Sequence, residues 1–244
     1  MRKEGMTLEQ TLKFRHELKY QINPHQYFII KQRLRHLLLP DRHAGPQGEY
    51  HIRSLYFDTI DNKALHEKLG GVRDREKYRI RIYNLSDRII HLEKKLKRND
   101  FIAKIKEPLT RKMAEALAEG NSEVLNVPGK PLFLEVYRLM RNERLRAKTI
   151  VDYVREAYVC PQGNVRVTFD KHLRTGLTGT NLFDPHLPTV SAFDKRIVVL
   201  EVKYDDYLPE FVRTALQGEN IHRQSSSKYV ICRKLLKENA WEDQ

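Results

Sequence analysis

The sequence predicts an α+β fold in which peripheral helices surround an antiparallel β-barrel with a charged interior. Strand-like segments follow one another through the chain, with helical segments inserted between them. Within these strands apolar and charged residues alternate, and the charged positions are mostly basic. One segment, 77–83, shows the alternation most clearly: Tyr78, Ile80 and Ile82 share one face, and Lys77, Arg79 and Arg81 share the other.

The predicted elements of the first half begin with a strand at 14–21 and a helix that starts at Asn23-Pro24 and runs to about residue 39. Asn and Pro at these positions are typical of a helix start, and Pro40 ends the helix. The pattern then predicts a strand, a short helix and a three-strand meander, at 50–58, 61–69, 76–84, 88–97 and 101–106.

The second half predicts helices at 110–119 and 131–143, and then three strands at 147–159, 164–173 and 196–204. A helix at 206–217, with Pro209 in its first turn, and an amphipathic helix at 228–238 follow. Seven or eight strands of this kind suggest a closed sheet, which gives every strand an inner and an outer face. The apolar faces would then lie outward under the helices, and the charged faces would line the bore.

Length and charge limit the possible function classes. The chain has 244 residues, a net charge of +13 and 40% hydrophobic residues, and no linker divides it, so residues 1–244 are expected to form one domain. The positive charge favours nucleic acid, an anionic membrane surface or a phosphate-rich small molecule as partner. No signal peptide or membrane-spanning run is visible, which predicts a cytoplasmic chain. Cys160 and Cys232 have no metal or disulfide spacing.

The charged strand faces are candidates for binding a polyanion. They comprise Arg15, Glu17, Lys19, Arg79, Arg81, Glu93, Lys95, Lys97, Lys104, Lys106, Tyr153, Arg155, Arg166, Thr168, Asp170, Glu201 and Lys203. The alternative is a sheet with one solvated face, but such a face would contain more Ser, Thr, Asn and Gln. So many cations would also repel one another unless they shared a polyanion.

Three carboxylates, Glu17, Glu93 and Glu201, each lie two residues from a lysine on the same face. One interpretation is a salt bridge inside the bore. The other is a divalent-metal site, because Mg²⁺ and Mn²⁺ take one or two carboxylates together with water and phosphate oxygens. Of the three, Glu201 is the favoured ligand.

Taken together, several segments resemble the triphosphate tunnel metalloenzymes, also called CYTH-like proteins. They most resemble the VTC domain, the polyphosphate polymerase domain of the vacuolar transporter chaperone complex. The segments are 17–19, 55–59, 79–81, 93–95, 153–158, 166–170, 200–203 and 226–229, and the resemblance covers about residues 13–235. The wider family opens with Glu-x-Glu-x-Lys, whereas this chain has Arg15 at the first glutamate position. That departure resembles the VTC branch more than the hydrolases.

The resemblance implies roles for individual residues. Phosphate-binding residues are expected to be Lys19, Arg79, Arg81, Lys95, Lys104, Arg155, Arg166 and Lys228, with Lys106 and Lys203 as additions. Glu201 is implied as ligand of Mn²⁺ or Mg²⁺, with Glu17 and Glu93 as further candidates. The expected catalytic set is Lys19, Arg79, Arg81, Lys95 and Glu201.

The implied activity is metal-dependent phosphoryl transfer on a triphosphate, with polyphosphate synthesis from ATP favoured. A triphosphatase and a polyphosphate-binding module without turnover are the alternatives, and a separate membrane-protein partner is a further expectation. The sequence argues against nucleic acid, because single-strand binders place aromatics among their basic residues. Here Tyr78, Phe101, Phe169 and Tyr204 fall on the opposite strand face.

Overall fold

The structure is a computed structural model that describes residues 12–194 and 196–239. Its strands are β1 Arg15–Ile22, β2 Leu39–Pro40, β3 Glu49–Asp58, β4 Arg75–Tyr83, β5 Ser86–Arg98, β6 Phe101–Pro108, β7 Arg146–Cys160, β8 Val165–Thr175, β9 Val190–Ser191 and β10 Val198–Tyr204. Its helices are α1 Pro24–Leu37, α2 Lys63–Leu69, α3 Arg111–Ala118, α4 Pro131–Asn142, α5 Glu210–Ala215 and α6 Lys228–Asn239. No helix in these two ranges is long and apolar enough to cross a membrane.

Eight strands form a closed antiparallel barrel, as the alternating pattern predicts. Around the barrel the order is β7, β3, β4, β5, β6, β1, β10 and β8, and pairing of β8 with β7 closes the ring. The two-residue strands β2 and β9 extend β7 and β8 at their edges. The seam between β1 and β6 is short, since only Arg15 and His16 pair across it.

Apolar side chains point outward from the strands and are covered by helices. On β4, Ile80 and Ile82 are fully buried in a cluster that includes Leu117 of α3 and Met140 of α4. A second outer cluster joins β8 and β10 to α1 and α5, with Phe169 at its centre. The opposite strand faces therefore point into the bore, which confirms the predicted assignment of faces.

Helix α5 is shorter than the sequence predicts, and β3 carries one charged residue on its outer face. The predicted helix at 206–217 is shorter, because α5 begins only after Pro209, which has an extended ψ of 141°. The helical conformation is also disfavoured for a residue that precedes proline, so Leu208 does not belong to the helix.

On β3, Arg53 shares the outer face with apolar residues because it pairs with Asp152 of β7 at 2.9 Å.

The last helix, α6, packs against bore-facing side chains instead of the outer surface. Tyr229 is 1% exposed and stacks on Tyr56 of β3, with ring centroids 5.2 Å apart. Its hydroxyl donates a hydrogen bond of 2.6 Å to Asp58 at the end of β3. The neighbouring Val230 and Cys232 join an apolar cluster with Val151 of β7. The helix thus covers one part of the inner barrel wall.

One buried carboxylate, Asp58, connects β3, α2 and α6. It accepts hydrogen bonds from the backbone N–H groups of Thr59, Ala64 and Leu65, and from the hydroxyl of Tyr229. The N-cap residue of α2 makes no side-chain cap bond. Asp58 instead accepts from the second and third N–H groups of that helix, and the hydroxyl of Thr59 accepts from the first.

We predict that Asp58→Ala lowers the free energy of unfolding by about 2–4 kcal/mol, because four donors lose their buried acceptor. Denaturant unfolding measures the change. The control is Asp61→Ala, which removes an exposed carboxylate three residues away and is expected to change stability by no more than about 0.5 kcal/mol. Equal effects of the two substitutions would contradict the anchoring role of Asp58.

Candidate functional site in the barrel bore

The bore encloses a cavity of about 690 Å³ lined by the alternating charged residues. Most of the predicted site residues meet there: Glu17, Lys19, Arg79, Arg81, Lys95, Lys104, Arg155, Arg166, Glu201, Lys203 and Lys228. Glu93 lies behind this surface, 1% exposed, and contacts three of its cations. Lys106 is exposed and lies outside the cavity lining.

Behind the bore surface, Glu93 binds Arg79 of β4 and Lys104 of β6. Arg79 donates two hydrogen bonds to Oε2 of Glu93, at 2.8 and 2.7 Å, and Lys104 donates one of 2.9 Å to Oε1. Nη1 of Arg81 lies 3.9 Å from the same carboxylate. Burial acts to raise the pKa of Glu93, but the charges of Arg79, Arg81 and Lys104 outweigh it and hold that pKa well below its usual range.

A second cluster joins β1, β10 and β5. Nζ of Lys19 lies 3.1 Å from Glu17 and 3.2 Å from Glu201, so one ammonium group bridges the two carboxylates. Lys203 lies 2.7 Å from Glu201, and Lys95 lies 2.6 Å from Glu17. The register between β1 and β10 produces this arrangement, because Lys19 is paired with Glu201 and Glu17 with Lys203.

Both carboxylates of this cluster stay ionised. Burial acts to raise the pKa of Glu17, but Lys19 and Lys95 overcome it and lower the pKa to about 2. Burial likewise acts to raise the pKa of Glu201, and Lys203 and Lys19 hold it well below its usual range. Two adjacent carboxylates of this kind are suitable ligands for a hard divalent cation.

The described residues fit a metal that takes part of its coordination from a substrate. Among them, no group of three or more His, Cys, Asp or Glu side chains converges on one point. Mg²⁺ usually uses only one or two carboxylates and keeps water and phosphate oxygens as its other ligands. Glu201 and Glu17 supply such a pair, whereas Glu93 is held by a different set of cations.

The sequence pattern places Asp170 on a charged strand face, and the structure adds its partners. It accepts hydrogen bonds of 2.6 and 2.8 Å from Arg155, and Nζ of Lys228 lies 2.6 Å away. Burial acts to raise its pKa, but Arg155 and Lys228 lower it to about 2. Asp170 therefore positions one cation from β7 and one from α6. In the sequence, the signal for this role is that Asp170 follows the same alternation as Arg166.

Tyrosines also lie on the bore face, which adds to the aromatic pattern expected from the sequence. The hydroxyl of Tyr56 accepts a hydrogen bond of 2.7 Å from Arg79, and that of Tyr153 accepts one of 3.0 Å from Arg81. Both rings are buried, at 7% and 3% exposure, so they hold arginines in place and leave no open surface for stacking of bases.

Within the described chain, Lys77 is a bore lysine that makes no ion pair. Its Nζ donates a hydrogen bond of 2.9 Å to the hydroxyl of Ser227 and lies 5.4 Å from the ring centroid of Tyr229. Burial and, to a smaller extent, the charges of Lys95 and Lys19 together lower the pKa of Lys77 to about 7. A charge held here without an anion destabilises the fold.

We predict that Lys77→Met raises the free energy of unfolding at pH 7 by about 1–3 kcal/mol in the absence of ligand. The pKa of Lys77 is about 7 in the folded state and has an ordinary value of 10.5. The unfolded chain therefore binds more protons in this window, and the wild-type penalty disappears as pH rises through it. The gain from Lys77→Met should shrink as pH approaches 10, which denaturant unfolding at several pH values measures.

The matched control is Lys94→Met on the adjacent strand. Lys94 is also buried, but it pairs with Glu76 and Glu135 on the outer face. Its replacement should destabilise the protein because both glutamates lose their cation. Destabilisation by Lys77→Met as well would contradict the unpaired state of Lys77.

One family model and several solved structures match the chain. A family model described as the VTC domain matches residues 14–237. A Hippeastrum protein assigned as an adenylyl cyclase, with a dominant triphosphatase activity, has a similar structure with a TM-score of 0.51 and 15% identity; the match covers 90% of this chain and 95% of that one. A Bacillus halodurans protein assigned as an adenylate cyclase gives 0.45 and 14%, over 94% and 91%. No curated protein sequence matches the chain.

Proposed function

The chain belongs to the VTC domain family, and we propose that it performs metal-dependent phosphoryl transfer on triphosphates inside the barrel. The favoured reaction is synthesis of polyphosphate from ATP. The observation that carries the proposal is the ionised Glu201, 5% exposed, held between Lys19 and Lys203 in a bore whose charged lining is mostly basic. A linear triphosphate matches this arrangement because it brings several negative charges in a row.

The arginines are the groups proposed to hold the phosphates. Phosphoryl transfer asks the protein mainly for positioning and charge neutralisation. Arg79 and Arg81 offer planar donors that suit phosphate oxygens, and their contacts with Glu93, Tyr56 and Tyr153 fix them before substrate binds. Donors that are already in place need no rearrangement as charge develops in the transition state.

The metal would be held by Glu201, with Glu17 as its neighbour. Bound Mn²⁺ or Mg²⁺ would neutralise charge on phosphate oxygens during transfer. The ammonium group of Lys19, which bridges the two carboxylates, would then be free to contact phosphate. This exchange of partners would account for the contact of Lys19 with both Glu17 and Glu201.

In the favoured reaction the γ-phosphoryl group of ATP moves to an oxygen of phosphate or of a growing polyphosphate end. The bond between the γ-phosphorus and the bridging oxygen breaks, a new phosphorus–oxygen bond forms, and ADP leaves. A separate membrane protein that receives the product remains a prediction from the resemblance. Nucleic acid is a poorer fit as partner, because the bore tyrosines are buried against arginines.

Hydrolysis is the second candidate, and water would then replace phosphate as the acceptor. The triphosphatase activity of the Hippeastrum protein favours it, since that protein shares the fold. A binding module without turnover is the third. The three are separated by their products: polyphosphate, free phosphate, or none.

We predict that the purified protein with ATP and Mn²⁺ or Mg²⁺ forms polyphosphate, or releases phosphate if water is the acceptor. Glu201→Gln should lower this rate by about 100-fold or more, because the metal loses its charged ligand while the side-chain size is kept. Polyphosphate staining on gels and phosphate release measure the two products.

The control is Glu107→Gln, the same change on the outer face of β6, where Glu107 pairs with Lys130. It should leave the rate within about twofold. Tight binding of tripolyphosphate without either product would favour the binding module. No product from the wild type, together with no binding of tripolyphosphate, would refute the proposal.

A further inference from the structure

The segment that joins the end of α1 to β2 and its following turn exposes leucines between arginines. We call residues 35–43 the α1–β2 tip. Leu37 is 48% exposed and Leu39 is 62% exposed, and the exposed side chains of Arg35 and Arg42 lie on either side of them in the chain. The tip lies outside the cavity lining, and the proposed reaction uses none of these four residues.

A buried leucine holds the exposed pair in place. Leu38, the C-cap residue of α1, is 5% exposed and belongs to the outer apolar cluster that covers β8 and β10. Its backbone is extended, with φ −121° and ψ 155°, so its neighbours Leu37 and Leu39 do not share its buried side. The exposure of the two leucines therefore follows from a fixed local conformation.

A buried carboxylate anchors the other end of the tip. The backbone N–H of Asp41 donates a hydrogen bond of 2.9 Å to the carbonyl of Ala157 on β7. The carboxylate of Asp41 accepts a hydrogen bond from Arg166, and Arg166 lines the cavity of the bore. The tip is thus attached to the end of the bore at which Arg166 lies. Because it is already ordered, little conformational entropy is lost when it binds a partner.

The exposed charge of the tip is positive. Its one carboxylate, Asp41, is buried against Arg166. Within the described ranges of the chain, Arg35, Arg42 and the nearby Arg33 make no ion pair, and Arg33 donates a hydrogen bond of 2.6 Å to a backbone carbonyl. An anionic partner complements this charge. A second copy of the chain does not, because a two-fold contact would bring the same arginines together.

Leucines enclosed by arginines favour a lipid surface over an acidic protein. At a bilayer surface, leucine side chains enter the boundary between headgroups and acyl chains, while guanidinium groups stay with the headgroup phosphates. The core of a protein–protein interface is instead depleted of charged residues. The tip spans residues 35–43, far fewer than the roughly 20–30 residues that each side of a stable protein interface contributes.

We propose that the α1–β2 tip docks this protein on membranes that contain anionic phospholipids. Leu37 and Leu39 would enter the interfacial layer, and Arg35 and Arg42 would contact lipid phosphates. Because Asp41 connects the tip with Arg166, docking would bring that end of the bore close to the bilayer. The inference concerns the outer surface and does not depend on the reaction proposed for the bore.

The test is co-sedimentation of the purified protein with vesicles of phosphatidylcholine, with and without phosphatidylglycerol. The wild type should bind the anionic vesicles at least about tenfold more tightly than the neutral ones, and less tightly as salt rises. Leu37→Asn/Leu39→Asn and Arg35→Gln/Arg42→Gln should each weaken binding to the anionic vesicles about tenfold or more. All four side chains are exposed, and either pair tests the proposal if the other does not fold.

Matched controls remove the same groups from other exposed positions. Lys112→Gln/Arg138→Gln removes two positive charges from α3 and α4, and Ile89→Asn/Val127→Asn removes two exposed apolar side chains. Each should weaken vesicle binding less than about threefold, because neither changes the tip. Tripolyphosphate, which the bore is proposed to bind, should not release the wild type from the vesicles.

Equal losses in the tip variants and their controls would assign vesicle binding to net charge and overturn the proposal. Failure of the wild type to bind anionic vesicles would also overturn it and would leave the reaction in the bore unaffected. Release by tripolyphosphate would place the lipid headgroup in the bore and count against the tip. Polyglutamate binding that Leu37→Asn/Leu39→Asn weakens as strongly as vesicle binding would indicate an acidic protein partner instead of a membrane.

Discussion

Buried cations must be compensated, and this constraint determines the arrangement of the barrel. Removing a charged group from water costs several kcal/mol, and breaking a buried pair costs about 3–5 kcal/mol. Arg79 meets Glu93 from the next strand, Arg155 meets Asp170, and Lys19 meets Glu201. Each pair joins neighbouring strands, so closure of the sheet and neutralisation of its interior depend on the same register. The bore is therefore preformed, with its arginines already directed by carboxylates and tyrosine hydroxyls.

The same pairs limit how strongly the centre attracts an anion. A phosphate that contacts Arg79 competes with Glu93, and one that contacts Lys19 competes with two carboxylates. A phosphate group at the centre would therefore have to replace carboxylates as the partners of these cations. This favours ligands with several negative charges, which replace several carboxylate contacts at once. Three other cations of the cavity lining, Lys68, Arg75 and Lys97, make no ion pair within the described residues, so an anion that contacted them would meet no such competition. Charge compensation therefore differs along the bore: carboxylates contact the cations of the centre, and these three cations have no carboxylate in contact among the described residues.

The period-two pattern was sufficient to predict the barrel and the inward direction of its charges, because alternation depends only on local backbone geometry. It could not show which cation meets which carboxylate, since that depends on register between strands distant in sequence. The contacts of Asp170 and of the bore tyrosines could not be predicted for this reason. Lys106 follows the alternation of Lys104 yet lies outside the cavity lining, beyond the position at which Lys104 reaches Glu93. The pattern of α6 likewise showed an apolar face but not that bore-facing side chains cover it.

Arg15, which stands where the wider family has its first glutamate, has a structural consequence of its own. Arg15 donates a hydrogen bond of 2.7 Å to Asp205 at the end of β10, and a second to the carbonyl of Asn164. Its charge is therefore engaged at the edge of the bore, and Glu17 is left as the carboxylate that β1 offers. Glu17 contacts Lys95 and Lys19, and Glu201 contacts Lys203 and Lys19, so each carboxylate of this cluster already has two lysine partners. On the proposed function, a divalent cation held by these carboxylates would take its remaining ligands from water and phosphate oxygens, so we expect metal and triphosphate to bind together.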